Sequence, residues 1–322
     1  MILEEYKKKF SNLRTDAGRN RWPSITCHRA PYKPFLLLSV MDLIAAGLIK
    51  ENFIEPNYDL AETFHQYWTR IMPLGTKGNM ALPFYHLNSE GFWHLVPKQG
   101  MRKNSRVTTS VTRLRQHYAG ARLDDELFLF LKNSETKEIL RAILVDTYFA
   151  HEIRSILREQ GIINYEAYQY AEKLLAAEAT LNNYGKEKNQ NDRKKKVRDQ
   201  GFRKAIVRIY EHRCALCGIR MLTPDGHTVV DAAHIKPWSE SYDDRPTNGL
   251  SLCKLCHWSF DEGLIGVNDQ YKVMISSAVR TEQNMPGHMM ALAERPIILP
   301  QKENFYPALE NIAWHRKKIF RK

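Results

Sequence analysis

The chain has no run near the roughly 18–20 uninterrupted apolar residues of a membrane-spanning helix, so no membrane partner is expected. Its first residues, M-I-L-E-E-Y-K-K-K-F, lack the apolar stretch of a secretory leader. Cysteine is scarce: there are five in 322 residues, four bunched as two C-x2-C pairs, with Cys27 alone. That odd count excludes the disulfide framework of a small secreted domain and points to reduced, metal-bound thiolates in the cytoplasm. There is no internal repeat. Acidic residues are in deficit, 36 Asp and Glu against 48 Lys and Arg, leaving a net charge of +12. Such a basic surface favours a polyanion, most simply nucleic acid. Hydrophobic content of 43% and aromatic content of 11% exclude a disordered chain. The length accommodates two domains, each with its own core.

What is present is concentrated between Cys214 and Gly263: C-A-L-C-G, then V-D-A-A-H-I-K-P-W, then N-G-L-S-L-C-K-L-C-H-W-S-F-D-E-G-L. Cys214, Cys217, Cys253 and Cys256 have the spacing of a closed tetrahedral Zn2+ site. That site would clamp a stretch too poor in apolar residues to build its own core. Phe202–Glu211 reads as a helix, Thr228–Ile235 as a strand with His234 near its end, and Gly249–Leu252 as a second strand opened by Asn248. The second cysteine pair begins a helix on which His257 and Asp261, four apart, face the same way.

This strand–loop–strand–helix unit resembles the HNH (ββα-metal) endonucleases over about residues 202–320. The resemblance implies that His234, Asn248 and His257 are catalytic. A neutral imidazole at His234 would take the proton of the attacking water. The Asn248 amide would hold the loop or the ring in orientation. One divalent cation, Mg2+ or Mn2+, would act as a Lewis acid on the phosphorane and the leaving oxygen. His257 is the first candidate ligand, Asp261 the second and Asp231 the third, because Ala233 stands where many family members place an acidic or His ligand.

Upstream, Pro34 sits in the first turn of a nearly all-round apolar helix that runs through Phe35, Leu36, Leu38, Val40, Met41, Leu43 and Ile44 and stops at Gly47. Phe64, Tyr67, Trp68 and Ile71 follow at helical spacing and Pro73 ends them. Leu82–Leu87 and Phe92–Val96 read as a hairpin around an Asn88–Gly91 turn. Leu123–Leu131, Glu138–Arg158 and residues 165–183 read as helices. Lys186–Arg203 is polar and basic, with Lys194, Lys195, Lys196 and Arg198, and serves as a solvated linker, a phosphate-contacting arm or both. Cys27 reads as a small buried apolar residue. The expected fold class is α+β: a mixed helix/hairpin DNA-reader domain (1–160), a basic helical linker (161–201) and a zinc-stabilised ββα-metal domain (202–322).

The segments A-P-Y-K-P-F-L-L-L and L-P-F-Y-H-L-N-S-E-G-F-W resemble the sulfur-binding domain of phosphorothioate-dependent restriction endonucleases, over about residues 10–155. The resemblance implies a cup at Leu82, Pro83 and His86, the last where a small residue is usual. A shallow apolar cup accepts a soft, weakly hydrated sulfur and penalises an oxygen that loses its water. Tyr32, Lys33, Arg29, Arg102 and Lys103 would hold the flanking backbone, with His28 and Arg106 beside them. The implied function is a modification-dependent restriction endonuclease of host defence that cuts phosphorothioated double-stranded DNA; two cuts need two active sites or two visits, and a homodimer is expected. Two alternatives stay open. In one, the reader selects a sequence or a methylated base, caged by Trp22, Trp68 or Trp93; in the other, the chain is a zinc-stabilised DNA-binding protein without catalysis.

Overall fold

The computed structural model describes residues 3–100, 110–176, 192–223, 226–280 and 287–322. Contacts divide the chain into a first unit, Met1–Tyr165 with Thr223–His227, and a second, Glu166–Leu222 with Thr228–Lys322. Each combines helices with two-stranded antiparallel sheets, an α+β architecture. No described helix is long and apolar enough to cross a membrane.

The first unit contains α1 (Leu3–Ser11), α2 (Tyr32–Ala45), α3 (Tyr58–Ile71), α4 (Ala81–His86), β1 (Trp93–Pro97), α5 (Val111–His117), β2 (Tyr118–Leu123), α6 (Asp125–Lys132) and α7 (Ser134–Tyr148). Helix α8 (His151–Ala176) begins in it and ends in the second unit. Helix α2 is buried at every position from Lys33 to Ile44. A helix with no polar stripe belongs at the centre, and α3, α4, α6 and α7 pack around it. Gly47, at φ 77°, makes the left-handed turn that ends it. The carboxylate of Asp42 on α2 is satisfied by Arg141 Nη2 at 2.6 Å, Tyr67 Oη at 2.7 Å and Asn164 Nδ2 at 2.8 Å. That network ties α2 to α3, α7 and α8. Burial pushes the Asp42 carboxyl up, opposed by the Arg141 charge and these hydrogen bonds.

Three local expectations are corrected. Leu82–Leu87 is not a strand; it is α4 running into a 3-10 turn, Leu87–Glu90. Ala81, Phe84 and Leu87 are fully buried, a spacing of three that suits a helix, and Pro83 lies in the first turn where its missing N–H costs nothing. The expected strand after Gly91 exists as β1, but its partner is β2, with Trp93 opposite Leu123 and Leu95 opposite Ala121. The helix expected over Glu138–Arg158 breaks between α7 and α8, where extended Phe149 turns inward to stack on Phe35 at 5.2 Å. Cys27 is exposed, because its left-handed backbone, φ 49°, closes a 3-10 turn and points it outward. Of the helix expected over 165–183, α8 supplies the part to Ala176; the rest lies outside the described residues, as do residues 186–191.

The second unit contains α9 (Asp192–Ile209), β3 (Val230–His234), α10 (Trp238–Ser241), β4 (Gly249–Cys253), α11 (Lys254–Asp261), β5 (Ile265–Val267), β6 (Val273–Ile275), α12 (Gly287–Met290) and α13 (Leu309–Lys318). The basic stretch from Asp192 and the helix expected from Phe202 are one continuous element, α9. Strands β3 and β4 pair antiparallel with His234 opposite Gly249 and Val230 opposite Cys253. The cysteine-bearing segment does not lack a core: Phe202 and Ile206 of α9 and Ile312 of α13 pack with Leu250, Leu252 and Phe260, making up the apolar residues it is short of.

Candidate functional site

Cys214 and Cys217 sit on a turn after α9, closed by Gly218 N–H to Cys214 O at 2.9 Å and by Cys214 N–H to Ile219 O at 2.9 Å. Cys253 ends β4 and Cys256 lies in the first turn of α11. The β3–β4 pairing and the α11 turn therefore carry the second pair to the first. All four Sγ atoms lie within 4.8 Å of one another, and Cys217 Sγ is 3.7 Å from Cys253 Sγ. Tetrahedral Zn–S bonds of about 2.3 Å require S···S edges of about 3.8 Å, so the donor set fits zinc. Among the described residues this is the only cluster of three or more metal-ligating side chains.

His234 closes β3. Its ring stacks on Phe202 with centroids 3.9 Å apart and planes 8° apart. Nε2 lies 2.8 Å from Oδ1 of Asp244, whose side chain is 0% exposed. The other oxygen, Oδ2, accepts from Tyr170 Oη at 2.7 Å and lies 3.9 Å from Arg198 Nε. Asn248 is fully buried and holds the loop rather than the ring: Oδ1 accepts from Lys236 N–H at 2.9 Å, and Nδ2 donates to Lys236 O at 3.0 Å and Asp243 O at 2.9 Å.

On α11, His257 Nε2 is 3.5 Å from Asp261 Oδ2, as the four-residue spacing requires. Burial raises the Asp261 carboxyl above its ordinary range, opposed by His257. The pair fits one hard cation that keeps water or phosphate oxygens in its remaining positions. Asp231 does not form a three-donor cluster with them; it pairs with Arg203 Nε at 3.0 Å. An offset of three along a strand also puts Asp231 on the face opposite His234.

Residues 214–268 match the HNH endonuclease family. No curated protein matches the chain. Among solved structures, a chain described as a modification-dependent TagI restriction endonuclease aligns at 24% identity and a TM-score of 0.30, covering 37% of this chain and 37% of that one. The present chain thus spans little more than a third of that protein. The HNH match takes in both cysteine pairs, His234, Asn248, His257 and Asp261. Asp244 lies inside the matched segment but carries no signal in the sequence. In the run Asp243-Asp244-Arg245 nothing in the sequence says which acid turns inward; Asp243 instead holds Arg245 through both oxygens at 2.9 and 2.8 Å.

In the first unit, Tyr32 and Lys33 of α2 and Leu82, Pro83 and His86 of α4 line one cavity of about 420 Å³. Trp22, a candidate for the aromatic cage, lines it too, as do Arg14, Asp16 and Ser89, to which the sequence gives no pointer. Arg29 is exposed outside the lining, and Arg102, Lys103 and Arg106 lie outside the described residues. The Lys33 ammonium is paired with the Glu90 carboxylate, both buried. His86 is lowered from its ordinary value by burial and then by the Lys33 charge, so its ring is neutral near pH 7. Tyr32 stacks on Trp68 at 4.8 Å and meets Trp22 edge-on at 5.6 Å, whereas Trp93 packs in the core against Phe84 at 5.0 Å.

Proposed function

We propose that the protein is a modification-dependent restriction endonuclease, in which the first unit binds phosphorothioated double-stranded DNA and the second hydrolyses a nearby phosphodiester. The observation that carries the reading is the convergence of Tyr32, Lys33, Leu82, Pro83 and His86 on one cavity. Leu82 and Pro83 give it an apolar wall, and Lys33 is already neutralised by Glu90. A sulfur loses little on entering such a space, while a hydrated oxygen would go unpaired. The volume has room for the adjoining deoxyribose as well.

In the second unit His234 takes the proton of the attacking water, and Asn248 keeps the loop between the strands in place. His257 and Asp261 would hold one divalent ion, Mg2+ or Mn2+, and Asp231 would reach it only after leaving Arg203. When bound, that ion supplies Lewis-acid stabilisation of the charge on the phosphorane. Zn2+ on the four cysteines holds the knuckles together. Lys194, Lys195 and Lys196 on α9 supply sequence-independent attraction to the backbone. Cutting both strands calls for a homodimer, and the setting is host defence in the cytoplasm.

The aromatic wall of Trp22 and Tyr32 favours a second reading, a modified base stacked in the same cavity. A matched cleavage assay separates the two. One duplex carries an Rp phosphorothioate in each strand, its twin carries normal phosphates, a third carries methylated bases, and each is incubated with Mn2+, Mg2+ or chelator. Metal-dependent cutting of the sulfur duplex alone is expected. Equal cutting of sulfur and normal duplexes would remove the sulfur reader, cutting of the methylated duplex alone would select the second reading, and cutting of none would leave a binding protein.

A further inference from the structure

We propose that Asp244 is the positioning residue of the hydrolytic site: its carboxylate holds the His234 ring in the tautomer protonated on Nε2 and so presents Nδ1 to the water. The inference rests on the nuclease reading above and names a residue the family motif does not.

A carboxylate can only accept hydrogen bonds, so the ring nitrogen 2.8 Å from Asp244 Oδ1 must carry its proton. The neutral ring then has its lone pair on Nδ1, which has no hydrogen-bond partner among the described residues. Stacking on Phe202 fixes the ring plane but cannot choose between a ring and its 180° flip. Only the bond to Asp244 makes that choice.

Asp244 is itself held in place. A fully buried carboxylate is costly unless paired, and here Tyr170 Oη and Arg198 Nε both face Oδ2. The Arg198 guanidinium is in turn seated 3.7 Å over the Trp238 ring. The three Asn248 bonds and the Asp243–Arg245 pair fix the loop on either side. A carboxylate serving only to tie this loop to α8 would need Tyr170 but not the bond to His234.

The arrangement makes a directional forecast for Asp244→Asn. The Tyr170 hydroxyl donates to the Oδ2 side and the Arg198 charge lies near it, so the amide oxygen settles there and the NH2 turns toward His234. The ring nitrogen must then accept, and the proton moves to Nδ1, which removes the base from the water. The test is long-range 15N–1H NMR on the full-length protein with labelled imidazoles, with the His234 signals assigned by their loss in His234→Ala. In the wild type the proton should sit on Nε2; in Asp244→Asn it should sit on Nδ1, with kcat for DNA cleavage down about 100-fold and KM changed less than about twofold. Tyr170→Phe should keep the wild-type tautomer and lose less than about tenfold in kcat. A wild-type ring protonated on Nδ1, or an Asp244→Asn protein with unchanged tautomer and kcat, overturns the proposal. The first of these outcomes does not depend on the Asp244→Asn protein folding. Because the tautomer is read without turnover, a wild-type protein that cuts no duplex would sink the nuclease reading while the assignment to Asp244 is still decided by the spectrum.

Discussion

Gly249 lies opposite His234 in the β3–β4 pair, and its lack of a side chain decides how closely α9 can approach the sheet. A Cβ built on it would stand 2.4 Å from Ile206 Cδ1, 2.8 Å from Ile206 Cγ1 and 3.0 Å from Phe202 Cζ. The backbone at φ −126° and ψ 143° suits any L residue, so Gly249→Ala is a test of packing alone. Overpacking a tight core costs about 1–3 kcal/mol. The loss of unfolded-state freedom returns about 0.4–1 kcal/mol. The net is a destabilisation of about 1–2 kcal/mol, or a drop in Tm of the second unit of about 2–8 °C by calorimetry on the zinc-loaded protein. Ile206→Val removes the nearest atom, Cδ1, and alone costs about 1 kcal/mol. If the clash is the cause, the double variant is less destabilised than the sum of the singles by about 1 kcal/mol. Additivity within about 0.5 kcal/mol, or a Gly249→Ala protein as stable as wild type, would refute the packing argument.

Cys214→Ala or Cys256→Ala should lose bound zinc and the folded second unit together, because assembling four thiolates couples binding to folding; retained zinc by metal analysis with an unchanged melt would show that the cluster is not the metal site. His234→Ala should abolish cutting, by about 10²–10⁴-fold, while duplex affinity in a gel-shift titration stays within about twofold. His315 is buried against Phe260, and burial holds its folded pKa near 4, below the ordinary 6.5. The unfolded chain therefore binds more protons between those values, so stability is full above about pH 6.5 and falls as pH drops toward 4, by about 3 kcal/mol, an effect that urea melts should lose in His315→Gln. Glu90→Gln leaves the Lys33 charge uncompensated beside the cavity, so among molecules still folded the affinity ratio of sulfur to normal duplex should fall; an unchanged ratio would mean that charge neutrality does not set the discrimination.

Periodicity and spacing were legible wherever neighbours in sequence decide the outcome. The nearly all-round apolar pattern of residues 35–44 suits only a central helix, and the two C-x2-C pairs point to the thiol cluster because few other roles suit them. Leu82–Leu87 was misread because a short apolar run fits strand and helix alike, and α2 rather than the run itself makes the choice. The break at Phe149 was hidden for the same reason: the pull comes from Phe35, more than a hundred residues away. Asp244 was missed because its inward turn depends on Tyr170, separated from it by 74 positions.

The buried ionisable groups also separate structure from chemistry. Around Asp42 each carboxylate oxygen has a donor, and the Asn164 amide oxygen is in turn taken by Gln160 Nε2 at 2.7 Å. A network closed in this way is rigid and has nothing left to offer a ligand. Lys33 and Glu90 likewise consume each other's charge, so under the proposed function the cavity beside Lys33 would select through the penalty on a hydrated oxygen rather than through attraction. The chain from Tyr170 through Asp244 to His234 is built of the same bonds, with the Arg198 charge close by, but stops one atom short: His234 Nδ1, on a partly exposed ring, has no hydrogen-bond partner among the described residues. Rigid support for a single unmatched acceptor contributes little to stability, since the ring could be held as well by a fully satisfied partner. It is the arrangement expected where a proton has to be received, as the proposed function requires of His234.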